Sequence, residues 1–274
     1  MLNGGMIAAI ATDLDNTFMH HGMTIAPLNG QMVRQAVAEG IHFVVASGRQ
    51  APAIGQVMAK VGVTGAKVCL NGSYVEDEQG HVLVASAMPT ARIVPLLQLA
   101  QQYHTNLMLY RKNGVFRYDV TNSLLWHAAF LVHGKGYNHL FKSQARMLRL
   151  LATDHVYKVG FNHPDHAVLM QIRDQLVDAP VSMVWASANF LEITNAGVTK
   201  LTGLQALAKA WHGDVGDFVA FGDYENDLAM LDGVGYGVAM SNAIPEVKQV
   251  ADAVVANHDH AGVGRSLQSL LAHQ

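Results

Sequence analysis

Short, nearly unbroken apolar runs alternate with stretches of helical periodicity over the first third of the chain. Met6-Ile7-Ala8-Ala9 leads into "IATDLDNTF", residues 10–18, and reads as a short buried strand that ends on acids. Leu28, Met32, Val33, Ala36 and Val37 then recur at helical spacing. Pro27 suits the start of that helix and Gly40 its stop. A second apolar, β-branched run covers Ile41 to Ala46 and breaks at Ser47-Gly48; a third covers Lys67 to Leu70 and breaks at Asn71-Gly72. Strand, helix, strand with both strands continuously apolar is a βαβ unit of a parallel sheet. "SYVEDEQGHVLVASAMP" reads as a hairpin that turns at Asp77 to Gly80.

From about Pro89 to about Trp185 the pattern changes. Helical stretches ("ARIVPLLQLAQQYH", "FKSQARMLRLLATD", "HAVLMQIRDQLVD") alternate with strand-like pieces ("TNLMLY", "GVFRYDV", "VYKVGFN", "VSMVWAS"). The first pattern then resumes with the helix "VTKLTGLQALAKAWHG", the apolar strand "DFVAFGD", two further strand ends and a final helix. The expected fold class is α/β: a Rossmann-like parallel sheet core, discontinuous over residues 1–86 and 188–274, with an inserted α+β cap domain over residues 87–187.

Composition narrows the function. The chain has 274 residues, half of them hydrophobic, enough for one large domain or two ordinary ones. The formal net charge is −3, with no basic stripe for nucleic acid and no polybasic membrane anchor. The lone Cys69 fits a reducing compartment and reads as a small buried residue. The N-terminal run lacks a basic region, and no apolar segment approaches the roughly 18 residues of a membrane span. A cytoplasmic protein without nucleic-acid or membrane partners is expected, its oligomeric state open between monomer and homodimer.

Asp is rare in strands, so two acids two residues apart at a strand end call for a reason. If the strand geometry persisted, Asp13 and Asp15 would project to one side and repel. Ligands of open parallel sheets bind at the carboxyl ends of the strands. Polar residues follow the apolar runs there at Asp13/Asp15, Ser47, the Asn195-to-Lys200 loop and Asp223/Asn226/Asp227. Carboxylates with few bases suit a hard cation such as Mg²⁺. A Ser hydroxyl and a Lys ammonium suit a phosphoryl group. One carboxylate can act as nucleophile and another as general acid and base, the set that phosphoryl transfer through a covalent intermediate requires.

In this order the motifs resemble those of the haloacid dehalogenase-like hydrolase superfamily. Within it, the chain is similar to Cof-like phosphatases, whose large cap lies between the second and third motifs. "DLDNT" matches the first motif, "ASGR" the second, "NAGVTK" the third and "GDYENDLAML" the fourth, while "NGS" and "GVAMSNA" are also similar to this subfamily. The resemblance implies that Asp13 is the nucleophile and a Mg²⁺ ligand. It makes Asp15 the general acid and base, with its main-chain carbonyl on the metal. Ser47, Gly48, Lys200, Asn226 and Asn71 would then bind phosphate or substrate, and Asp223 and Asp227 would complete the metal site. It further implies a phosphoric monoester hydrolase acting on sugar phosphates or phosphorylated cofactors. Asn16, Phe18, Leu201 and Ser241 depart from the usual residues without removing a charged group; Asn tolerates a positive φ, so the turn at Asn16 can form.

Two other readings compete. A phosphomutase would return the phosphoryl group to substrate, and the size and position of the insertion argue against it. A catalytically weak, phosphate-binding regulatory protein resembling a response-regulator receiver would not need Asp15. No G-x-G-x-x-G follows the first strand, which argues against a dinucleotide site. The histidines at positions 20, 21, 163, 166, 258 and 260 read as surface or loop residues, with His20 or His21 placed to line an entrance. Tyr110, Phe116, Tyr118 and Trp126 read as packing in preference to a substrate wall.

Overall fold

The computed structural model describes residues 5–20, 24–120, 138–141 and 143–272. They form two compact units, Met1–Ala85 with Thr199–Gln274, and Ser86–Val198. In the first unit the chain runs through β1 (Ala9–Thr12), β2 (Met19–His20), β3 (Thr24–Ile25), a helix Pro27–Ala38, β4 (His42–Ala46), a helix Ala51–Val61, β5 (Ala66–Cys69), β6 (Tyr74–Glu76) and β7 (Val82–Ala85). The second unit holds β8 (Asn106–Arg111), β9 (Gly114–Tyr118), β10 (Asn138–Phe141), β11 (Lys158–Asn162), β12 (Val181–Ser187) and β13 (Phe190–Asn195). The chain then returns to the first unit with the helix Lys200–Ala210, β14 (Phe218–Gly222), β15 (Tyr236–Met240), β16 (Ala253–Val255) and the helix Gly262–Leu271.

The sheet of the first unit has the order β16-β15-β14-β1-β4-β5-β6-β7. The strands from β16 to β5 run parallel, and the hairpin β6–β7 adds two antiparallel strands at one edge. Every residue of β1 and β14 is buried, which is why both read as unbroken apolar runs. Register fixes the site: Thr12 lies opposite Val45 on β4 and Phe221 on β14. β1 therefore ends one residue short of β4 and β14, and the residues that follow the three strands share one edge. Gly72 (φ +99°) and Gly222 let backbone and site approach closely. A Cβ on Gly72 would lie 2.1 Å from the Thr199 carbonyl oxygen, and one on Gly222 would lie 2.5 Å from Cβ of Asp227.

The second unit has its own sheet, β10-β9-β8-β11-β13-β12, antiparallel except for β9 with β10. Its core takes Leu107, Leu109, Phe116, Tyr118, Val159, Phe161, Leu191 and Ile193 from the strands, with Ile93, Leu97, Leu169 and Ile172 from the helices Thr90–Gln102 and His166–Gln175. Phe116 and Tyr118 are thus core residues, while Trp126 lies outside the described residues, as does His21. Tyr110 alternates to the other side, where its ring sits 4.4 Å from Nζ of buried Lys158, itself paired with buried Glu192.

The expected inserted segment, residues 87–187, ends too early. Phe190–Asn195 is a strand paired with both β11 and β12, so this unit continues to Val198. Glu192 interrupts the apolar pattern of that strand, and the Lys158 that neutralises it lies 34 residues upstream. No helix among the described residues is long and apolar enough to cross a membrane.

Candidate active site

Asp13 is the first residue beyond β1. Its N–H still donates to the Phe221 carbonyl at 2.9 Å, so its position is set by the sheet. Lys200 opens the helix Lys200–Ala210, whose start is held by a reciprocal cap: Thr202 N–H donates to Thr199 Oγ1 at 3.2 Å, and Thr199 N–H to Thr202 Oγ1 at 3.0 Å. The Lys200 ammonium is fully buried and donates to Asp13 Oδ1 and Asp227 Oδ1, each at 2.6 Å. Asp227 closes a 3₁₀ turn after β14; its second oxygen accepts from the N–H groups of Asp223 (3.0 Å) and Tyr224 (3.2 Å). Asp223 Oδ1 accepts from the Thr17 hydroxyl at 2.8 Å. Carboxylate oxygens of Asp13, Asp223 and Asp227 lie within 4.8 Å of one another, close enough to hold one metal ion.

Three buried acids face one ammonium, and the titrations reflect that imbalance. Burial, reinforced by the charge of Asp227 and opposed by Lys200, raises Asp13 to about 7. Burial, then the charges of Asp13 and Asp227, raise Asp223 to about 8. Burial works against the charge on Lys200, but the two acids outweigh it and push its pKa up. A divalent cation would relieve this excess of negative charge, and the all-oxygen donor set suits a hard ion.

Between the ordinary Asp value and about 7 to 8, the folded protein binds more protons at Asp13 and Asp223 than the unfolded chain does. This contribution to stability is complete below about 4 and is lost as pH rises through 7 to 8. Metal-free protein should therefore lose melting temperature from pH 6 to pH 8. The gain on adding Mg²⁺ should be larger at pH 8, as differential scanning fluorimetry would register. An equal gain at both pH values would contradict the coupling.

The remaining sequence-selected residues are distributed as follows. The strand geometry does not persist beyond Thr12. Leu14 turns into the core, Asn16 adopts a left-handed conformation (φ 59°), and the Asp15 carboxylate meets Arg49 in a two-pronged pair, with Nε to Oδ2 at 2.8 Å and Nη2 to Oδ1 at 2.6 Å. The Asp15 side chain therefore lies outside the group formed by Asp13, Asp223 and Asp227. Ser47 is buried beyond β4, its N–H on the Val68 carbonyl at 2.8 Å and its Oγ accepting from the N–H of Arg49 at 3.3 Å across Gly48. Asn226 donates to Asn71 Oδ1 at 3.4 Å, and Asn71 is held at φ 58°. Leu201 packs so that a Cβ on Gly233 would lie 2.4 Å from its Cδ2. Arg49, Thr17 and Asn242 engage these residues without having been singled out. Each stands inside a quoted motif, and that adjacency was the available signal.

A family model for haloacid dehalogenase-like hydrolases matches residues 10–267. The chain belongs to this family. Among curated relatives, an HMP-PP phosphatase of Serratia proteamaculans is 27% identical over 97% of this chain and 96% of its own. A pyridoxal phosphate phosphatase of Escherichia coli is 24% identical over 96% of this chain and 98% of its own. The solved structure of a haloacid dehalogenase-like hydrolase from B. subtilis superimposes with a TM-score of 0.85 at 21% identity, covering 96% of this chain and 99% of that one, and so shares the fold.

Proposed function

We propose that this haloacid dehalogenase-like hydrolase is a phosphatase of small phosphorylated metabolites that works through an aspartyl phosphate on Asp13. The observation that carries the reading is the buried trio at the sheet edge, with Lys200 shared between Asp13 and Asp227. The named activities of the Serratia and E. coli relatives support the substrate class. A cytoplasmic location and a cap role for Ser86–Val198 belong to the same proposal.

In the first step an Asp13 oxygen attacks phosphorus, the bond from phosphorus to the leaving oxygen breaks, and Asp15 hands its proton to that oxygen. In the second step water attacks the same phosphorus, Asp15 takes the proton, and the acyl–phosphate bond breaks to free phosphate and Asp13. Lys200 offsets charge on the nucleophile and the phosphoryl oxygens. Ser47, Gly48, Asn71 and Asn226 would bind the phosphoryl group or substrate. Mg²⁺ held by Asp13, Asp223 and Asp227, with the Asp15 carbonyl as a further ligand, would supply positive charge against the phosphoryl oxygens. Because Arg49 grips both Asp15 oxygens, that pair has to open before Asp15 reaches a leaving group.

The test is phosphate release with and without Mg²⁺, in ¹⁸O-labelled water, from an aryl phosphate and a panel of phosphorylated metabolites. Label in the phosphate and dependence on Mg²⁺ are expected; phosphoryl return to substrate would favour the mutase. Asp15→Asn should slow release from alkyl phosphates by about 10²–10⁴-fold. In the first step, read as the burst of released alcohol or phenol, the loss should be smaller from aryl phosphates, whose leaving group needs no proton. Equal losses in that step would remove Asp15 from the acid role.

A further inference from the structure

Asn242 lies in the loop after β15, in the segment "GVAMSNA", and its side-chain amide joins three parts of the first unit. Nδ2 donates to the main-chain carbonyl of Asn16 at 3.0 Å and faces Asp223 Oδ2 at 3.5 Å. Oδ1 faces the main-chain N–H of His258 at 3.3 Å and its ring Nδ1 at 3.2 Å.

These partners leave one orientation for the amide. The Asn16 carbonyl can only accept, so the NH₂ group must face it. The His258 N–H can only donate, so the carbonyl oxygen must face that side. His258 Nδ1 then carries its hydrogen toward Asn242. The chain of contacts continues outward: His258 Nε2 lies 3.5 Å from Asp259 Oδ1, which also meets His20 Nδ1 at 3.0 Å.

At the inner end, the two oxygens of Asp223 are each approached by a neutral donor, Thr17 at 2.8 Å on Oδ1 and Asn242 at 3.5 Å on Oδ2. Neutral donors fix the plane of a carboxylate without cancelling its charge, and the charge stays available to a cation. The same amide ties the Asp223 loop to Asn16, within the turn that carries Asp13 and Asp15. We propose that Asn242 is a positioning residue for the cation site and that His258, through its two N–H groups, sets the orientation of Asn242. This rests on the proposal that Asp13, Asp223 and Asp227 hold Mg²⁺, and it gives a task to His258, a buried residue that the sequence alone reads as a surface or loop histidine.

The experiment measures the Mg²⁺ concentration giving half-maximal thermal stabilisation of the full chain, for wild type, Asn242→Ala, His258→Ala and His258→Gln. Partners behind a metal ligand typically contribute about 10–100-fold in metal affinity. Asn242→Ala should raise the midpoint about tenfold, and His258→Ala by a smaller factor in the same direction. His258→Gln, whose side chain keeps a donor, should recover part of that loss. At saturating Mg²⁺ the substrate KM of Asn242→Ala should return to the wild-type value. A lower melting temperature at every Mg²⁺ concentration with an unmoved midpoint would make Asn242 a merely structural residue and overturn the proposal. Should Asn242→Ala not fold, His258→Ala against His258→Gln carries the same comparison. If wild type itself shows no response to Mg²⁺, the cation reading falls, and this inference falls with it.

Discussion

Asp13→Asn should fold normally and release phosphate more slowly by on the order of 10⁵-fold or more, because it removes the nucleophile while keeping the shape of the side chain. The amide oxygen of Asn can still accept from Lys200, which in the wild type donates to Asp13 Oδ1 at 2.6 Å. The fold should gain at alkaline pH, since the substitution deletes a buried acid held at about 7 that repels Asp223 and Asp227. Phosphate release and thermal melting at pH 8 check both parts. Intact-mass analysis of acid-quenched protein should find the phosphorylated form in wild type and not in the variant. Activity above about one per cent of wild type would point to a different nucleophile.

Lys200→Met should be the most destabilising single change at the site. It leaves Asp13 and Asp227 buried without their shared cation, a situation that typically costs about 3–5 kcal/mol. Removing Lys200 also takes away the interaction that lowers Asp13, so its carboxyl rises further above 7. A folded-state value raised further means more stability lost as pH increases through it. The deficit in urea should therefore be larger at pH 8 than at pH 6, and phosphate release should fall by at least about 10²–10³-fold because charge on the phosphoryl group is no longer offset. A deficit that does not change with pH would contradict the shared-cation arrangement.

How much of this was legible in the residues depended on how local each signal is. The runs Ile41 to Ala46 and Phe218 to Gly222 are apolar on both faces because both faces of a parallel sheet are covered, so the α/β class could be read directly. The polar residues that follow such runs had to collect at one edge, which is why Asp13, Ser47 and Asp223 could be singled out. Lys200 was legible because it ends the polar Asn195-to-Lys200 loop and stands inside the third motif, "NAGVTK". Arg49 was not, because its partner lies 34 residues away and is reached only after the chain turns at Asn16. Asn242 was hidden for the same reason, its contact with Asn16 spanning 226 residues. The strand Phe190–Asn195 escaped because Glu192 reads as a solvent-facing acid until Lys158 is beside it.

The arrangement of β1 between β4 and β14 has a consequence for biosynthesis. Thr17 and Asp223, which meet in the finished site, are 206 residues apart. At roughly 5–20 residues per second, on the order of 10–40 s of translation separates them. Once β4 has been made, β1 has it to pair with, but its other edge has no partner, because β14 has not been made. The unit Ser86–Val198, with a core of its own, is complete on the ribosome before the first unit can close. Nascent chains therefore carry an open, apolar parallel edge for most of their synthesis, and ribosome pausing between the two halves of the first unit prolongs that exposure.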